Sequence, residues 1–125
     1  MNPKFDAILI ARPDWFRESI QTLLASIPGI REVHPVESVS GALELVESVT
    51  PCLIILDFRA IDHELSAELS RIREIWKMGY QIILVDDKDE CQQAKALGAG
   101  LALLKGFTAL KFINEIEKIL GNQPD

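Results

Sequence analysis

The run Leu53-Ile54-Ile55-Leu56, closed by Asp57, constrains this chain more than any other stretch. Four branched apolar residues in succession suit a strand covered on both faces, as in a parallel sheet flanked by helices. The run ends on a single carboxylate. In open α/β sheets, ligands and chemistry collect beyond the carboxyl ends of the strands. Asp57 is therefore the residue around which a site is sought.

The rest of the chain alternates between strand and helix patterns. Ala7-Ile8-Leu9-Ile10-Ala11 reads as a buried strand, broken by Arg12-Pro13-Asp14. Asp14 is a good helix N-cap, and Phe16, Ile20, Leu23, Leu24 and Ile27 then form one apolar face that ends at Pro28-Gly29. Arg31 to Val36 is a more polar strand, which Pro35 places at a sheet edge. Ser38 or Ser40 caps a second helix, with Val39, Leu43, Val46 and Val49 inward. Beyond the Asp57 strand, Phe58 to Ile61 reads as a loop, and Asp62 caps a third helix with Leu65, Leu69, Ile72 and Trp76 on its core stripe. Ile82 to Val85 is a fourth strand ending at Asp86-Asp87. A shortened helix with Cys91, Ala94 and Leu97 follows, closed by Gly98. Leu101 to Leu104 is a fifth strand ending at Lys105-Gly106. Thr108 caps a last helix, with Ala109, Phe112, Ile113, Ile116, Ile119 and Leu120 facing in.

Five strands alternating with five helices predict an α/β fold: a doubly wound five-stranded parallel sheet with right-handed crossovers and helices on both faces. Spacing does not encode strand order. Of the two common doubly wound orders, five strands favour 2-1-3-4-5.

Composition narrows the function. A length of 125 residues points to one domain. Its net charge of -6 argues against non-specific binding to nucleic acid or an anionic membrane, both of which need a basic surface. No apolar run approaches the ~20 residues of a membrane span, and the start lacks the shape of a signal peptide, so a cytoplasmic location is expected. Cys52 and Cys91 have no metal-ligand spacing and read as reduced thiols, with Cys52 buried. His34 and His63 have no serine, cysteine or second histidine at a useful spacing. Trp15 is expected to pack. Gly98-Ala99-Gly100 precedes a strand rather than opening a helix, so it is not a dinucleotide fingerprint. Without a nucleophile–base pair, metal cluster or phosphate loop, an enzyme is not expected.

Three stretches resemble the receiver domain of bacterial response regulators, in particular receivers that precede helix-turn-helix output domains. Trp15-Phe16-Arg17-Glu18-Ser19-Ile20, with Ile27-Pro28-Gly29-Ile30, is similar to the family's first helix and its ending. Pro51 to Arg59 resembles the strand that ends in the phosphorylated aspartate. Ala96-Leu97-Gly98-Ala99-Gly100, then Leu103-Leu104-Lys105, resembles the glycine turn and the fifth strand with its terminal lysine. The resemblance implies a receiver-like domain over residues 1–121, with 122–125 as a tail or the start of a linker. It implies a role in two-component phosphorelay signalling, with Asp57 at the phosphoacceptor position. It also implies a protein partner: a sensor kinase, an output domain or a second copy in a homodimer.

The chain departs from the family where the family binds magnesium. Two acids normally follow the first strand, and here the segment is Ala11-Arg12-Pro13. The serine or threonine that ends the fourth strand is replaced by Val85 or Asp86, and the switch aromatic of the fifth strand by Ala102. Asp57 and Lys105 alone remain of the usual set. The expected pocket is Asp57 with Arg12, Asp86 and Lys105, without cofactor or metal. A dication ~4 Å from a fixed arginine is repelled by roughly 8 kcal/mol at an effective dielectric of about 20. Arg12 and Lys105 are therefore expected to reach Asp57 and hold it in one state, giving a pseudo-receiver that works through protein contacts. Two alternatives stay open: a phosphorylation-competent receiver using Asp57, and a small cofactor-binding domain of flavodoxin type.

Overall fold

The Asp57 strand takes the middle of the sheet. In the computed structural model, which describes residues 5–61 and 64–121, five parallel strands lie in the order β2-β1-β3-β4-β5. They are β1 (Phe5–Ile10), β2 (Ile30–Val36), β3 (Leu53–Asp57), β4 (Tyr80–Val85) and β5 (Leu101–Leu104). Five helices connect and follow them: α1 (Trp15–Ala25), α2 (Val39–Leu43), α3 (Leu65–Ile75), α4 (Lys88–Ala96) and α5 (Ala109–Gly121). This is the doubly wound order expected for five strands. Pro35 sits in β2, an edge strand, where a missing N–H leaves no gap in the interior ladder.

Alternation along the strands divides the core in two. Ile8, Ile10, Ile54, Leu56, Ile83 and Val85 point to one face, where Leu65, Leu69 and Ile72 of α3 and Ala94 of α4 meet them. Ala7, Leu9, Leu53, Ile55, Ile82 and Leu84 point to the other, against Ile20 and Leu24 of α1 and Phe112, Ile116 and Ile119 of α5. Each large side chain buried this way contributes about 1.5–3 kcal/mol by leaving water. Continuous apolar runs in β1, β3 and β4 are needed because both of their faces are covered.

Capping fixes where several helices start. Asp14 accepts a hydrogen bond from the Arg17 N–H, Ser38 from Gly41, Asp87 from Glu90, and Thr108 from Lys111. Gly98, at φ +86°, ends the α4 segment in a left-handed conformation that suits glycine. α4 runs nine residues and buries only Ala94 completely.

Some expectations are corrected. α2 stops at Leu43, and the chain continues to Val49 in tight turns closed by Leu45 N–H to Ala42 O and Ser48 N–H to Leu45 O. Val49 remains buried but Val46 is turned outward, because a five-residue helix cannot carry a stripe that runs from Val39 to Val49. Phe58–Ala60 is a short 3-10 turn rather than an irregular loop. Trp15 is 76% exposed, since the first turn of α1 lies at the rim of the sheet and its stripe begins with Phe16 and Ile20. Ala109 is exposed, one residue into α5. Cys52 is half-buried, and burial pushes its thiol up to about 11. The Asp62 cap, His63 and the 122–125 tail lie outside the described residues. Glu64 precedes α3 without a side-chain capping bond.

Candidate functional site

β3, β4 and β5 end side by side, and the residues that follow their apolar runs meet in one cluster. Register alone brings this about: Asp57 lies opposite Leu84, and Val85 opposite Leu104, so Asp86 and Lys105 emerge one step beyond the sheet. Lys105 is steered there by its own N–H, which donates to the Val85 carbonyl at 2.8 Å.

Asp57 is 4% exposed. Its Oδ1 lies 2.8 Å from Lys105 Nζ and accepts a hydrogen bond from the Arg59 N–H at 3.0 Å. Lys105 Nζ also lies 3.3 Å from Asp86 Oδ1. Asp86 Oδ2 accepts from Arg59 Nε at 3.0 Å. The Asp86 N–H is held by Glu90 Oε1 at 2.8 Å, which fixes the start of α4 beside the cluster. The Phe16 ring covers the lysine, with Nζ 4.9 Å from its centroid. Asp57, Lys105, Asp86 and Arg59 thus form a chain of two acids and two bases whose charges sum to zero.

Burial opposes the charge on Asp86, but Lys105 and then Arg59 outweigh it and hold its carboxyl below the usual carboxylate range. Above the cluster opens a cleft of about 320 Å³, lined by Asp14, Trp15, Phe16, Arg59, Asp86 and Lys105. Its lip is the exposed indole of Trp15, set edge-on to Phe16 with centroids 6.1 Å apart.

The structure therefore brings Asp57, Asp86 and Lys105 together and leaves Arg12 out. Arg12 is exposed and makes no hydrogen bond or ion pair among the described residues. The expectation that it reaches Asp57 is corrected for a local reason. A residue before proline is pushed toward extended backbone, and the Ala11 N–H just before Arg12 is still tied to the Val36 carbonyl of β2 at 2.9 Å, on the side of β1 away from β3. The Ala11 carbonyl is instead met by Arg17 Nη1 at 3.2 Å.

The second cation of the cluster is Arg59, which sequence reasoning missed. Its signal was its position two residues beyond Asp57, within reach of whatever follows the neighbouring strand. Among the described residues, the one trio of side chains whose ligand atoms fall within 4.8 Å of one another is Asp6, Glu32 and His34. It lies at the opposite end of β1, where Arg31 already grips Asp6 with two hydrogen bonds.

No family model matches the chain, and neither does any curated protein sequence. Solved structures do match it. A LuxR family DNA-binding response regulator from Silicibacter pomeroyi aligns at TM-score 0.77 and 21% identity, over 96% of this chain and 94% of its own. A response regulator from Thermotoga maritima aligns at TM-score 0.80 and 18% identity, over 98% and 100%. The chemotaxis response regulator CheY4 of Vibrio cholerae aligns at TM-score 0.77 and 17% identity, over 92% and 98%. The fold is the receiver fold. Within it, Asp57 ends the central strand and Lys105 follows the last one, while the segment after β1 carries no acid before Asp14.

Proposed function

We propose that this chain is a receiver module of two-component signalling whose metal-dependent switch is replaced by a fixed charge network, so that it acts by protein–protein contact. The observation that carries this reading is the 2.8 Å Lys105–Asp57 pair, closed from the side by Asp86 and Arg59. Receiver chemistry needs a dication beside the phosphoacceptor. Mg²⁺ asks for near-octahedral oxygen coordination, usually with one or two carboxylates plus phosphate. The residues around Asp57 do not fit that demand. Arg12 and Pro13 supply no oxygen ligand side chain where the family has its acids. Asp86 is shared between two cations, and Asp14 uses Oδ1 to cap α1. Two fixed positive charges already neutralise the two acids, which removes the electrostatic reason to bind a third.

A silent pocket leaves the surface as the working part. No helix among the described residues is long and apolar enough to cross a membrane. The net charge of -6 disfavours nucleic acid as a direct ligand. The partner is accordingly read as a protein: a kinase, an output domain or another copy.

A second reading rests on a specific feature of Asp57. Both of its donors converge on Oδ1, and no donor to Oδ2 is seen among the described residues. That oxygen is the one that could still attack a phosphoryl donor. Incubation with acetyl phosphate and Mg²⁺, followed by intact mass measurement, separates the two readings. The fixed network predicts an unmodified chain. A phosphate adduct that disappears in Asp57→Asn establishes a working receiver and overturns the metal-free proposal.

A further inference from the structure

We propose that the face around the groove at the amino-terminal pole of the sheet is a self-association surface, covered by the same face of a second copy of this chain. The groove measures about 300 Å³ and opens between the segments that enter β3 and β4, at the end of the sheet away from Asp57. Val46, Ile75 and Met78 line it together with Pro51. Those three are half of the six large apolar side chains exposed among the described residues, and Met78 alone is 73% exposed. Apolar residues scattered singly over a surface mean little, but a contiguous group marks a contact site. The patch owes its existence to the early end of α2, which turns Val46 outward beside the α3–β4 connection.

Charge selects the occupant. Glu74 and Lys77 line the same groove, three residues apart and of opposite sign. Both are exposed, and neither has an ion-pair partner within the chain among the described residues. A two-fold axis through the groove sets Glu74 of each copy against Lys77 of the other, so the surface complements itself. A partner segment of one sign satisfies only one of the two charges. Methionine suits such a surface because its flexible side chain fits an irregular counterpart. The proposal does not depend on whether Asp57 is phosphorylated, since the groove lies at the other pole.

Sedimentation velocity over a concentration series tests it. The wild-type chain is expected to shift from monomer to dimer as concentration rises. Met78→Glu should weaken that dimer at least about tenfold. Glu74→Lys and Lys77→Glu should each weaken it about tenfold, because each places like charges in contact across the axis, and the double reversal should restore it. Leu110→Glu, an exposed apolar site on α5, is the control and should leave the dimer unchanged. Circular dichroism confirms that each variant is folded. A chain that stays monomeric up to about 1 mM overturns the proposal. So does a dimer that survives Met78→Glu, or one that dissociates in Leu110→Glu instead.

Discussion

Lys105 Nζ lies 2.8 Å from Asp57 Oδ1, tying the end of β5 to the end of β3 across the end of β4. The pair is nearly dry: the lysine side chain is 17% exposed and the aspartate 5%. Ion pairs of this kind add little or nothing over an apolar pair of the same volume, yet removing one partner strands the other charge out of water.

Lys105→Ala is therefore expected to destabilise the fold by about 2–3 kcal/mol, since the Arg59 N–H still serves one oxygen of Asp57. Lys105→Met combined with Asp57→Asn removes both charges while keeping most of the volume, and should recover a large part of the loss. Urea unfolding of the three chains measures both effects. A single variant as stable as wild type would show that Asp57 tolerates burial without the lysine.

Asp86 is expected to contribute to the acid limb of stability. Its carboxyl is held low in the folded protein by Lys105 and Arg59 acting against burial. A depressed folded value means that its stabilising contribution is complete above the unfolded aspartate value of about 3.9. The contribution is lost as pH falls through the lower folded value. Between pH 5 and pH 2, wild type should lose stability more steeply than Asp86→Asn, measured as unfolding midpoints across the range. Parallel curves would refute an ionised, paired Asp86.

Two arginines are expected to behave differently. Arg59 contacts Asp86 from an exposed position, so Arg59→Ala should cost less than about 1 kcal/mol. It nevertheless removes one of the two charges that oppose a dication, and Mn²⁺ should bind more tightly to this variant than to wild type. Arg12→Ala should change stability by less than about 0.5 kcal/mol and leave Mn²⁺ affinity unaltered. Equal effects of the two substitutions on Mn²⁺ titration would return Arg12 to the pocket.

Gly100 answers to packing rather than to backbone freedom. A Cβ there would stand 2.6 Å from the Tyr80 ring and 3.0 Å from the Gln81 carbonyl. The ring cannot retreat easily, because the Tyr80 hydroxyl donates to the Gly100 carbonyl at 2.7 Å. Gly100→Ala should destabilise by about 1–3 kcal/mol, and replacing Tyr80 with leucine in the same chain should recover part of it. Thermal melts of the two chains check this.

What was legible in the residues was whatever local physics dictates. The apolar run before Asp57 suits a strand covered on both faces, and it is the middle strand. Pro35 barred its strand from the interior ladder, and β2 is an edge. Asp14, Thr108 and the pair Ser38 and Ser40, of which Ser38 is the cap, announced helix starts because a short polar side chain satisfies the free N–H groups of a first turn. Periodicity misled where a helix was cut short. The spacing of Val39, Leu43, Val46 and Val49 fits a face, but Gly41 and the β-branched residues around it weaken the helix, and turns replace it after Leu43.

The cluster at the strand ends belongs to another level. Asp57, Asp86 and Lys105 could be named in advance because each ends or follows a strand, and strand ends of a parallel sheet lie together. Which cation completes them could not. Arg12 and Arg59 are equally near an apolar run in the chain, and each is a freely rotating side chain that nearly any backbone direction can satisfy. Their fates separated only when β3 and β4 paired and the 3-10 turn after Asp57 set Arg59 against a residue 27 positions away. Local sequence determines which segments extend, coil or turn, because those choices depend on neighbouring side chains and backbone. Contacts between distant charges depend on sheet register and the exit direction of each strand, and these are decided when the whole core packs.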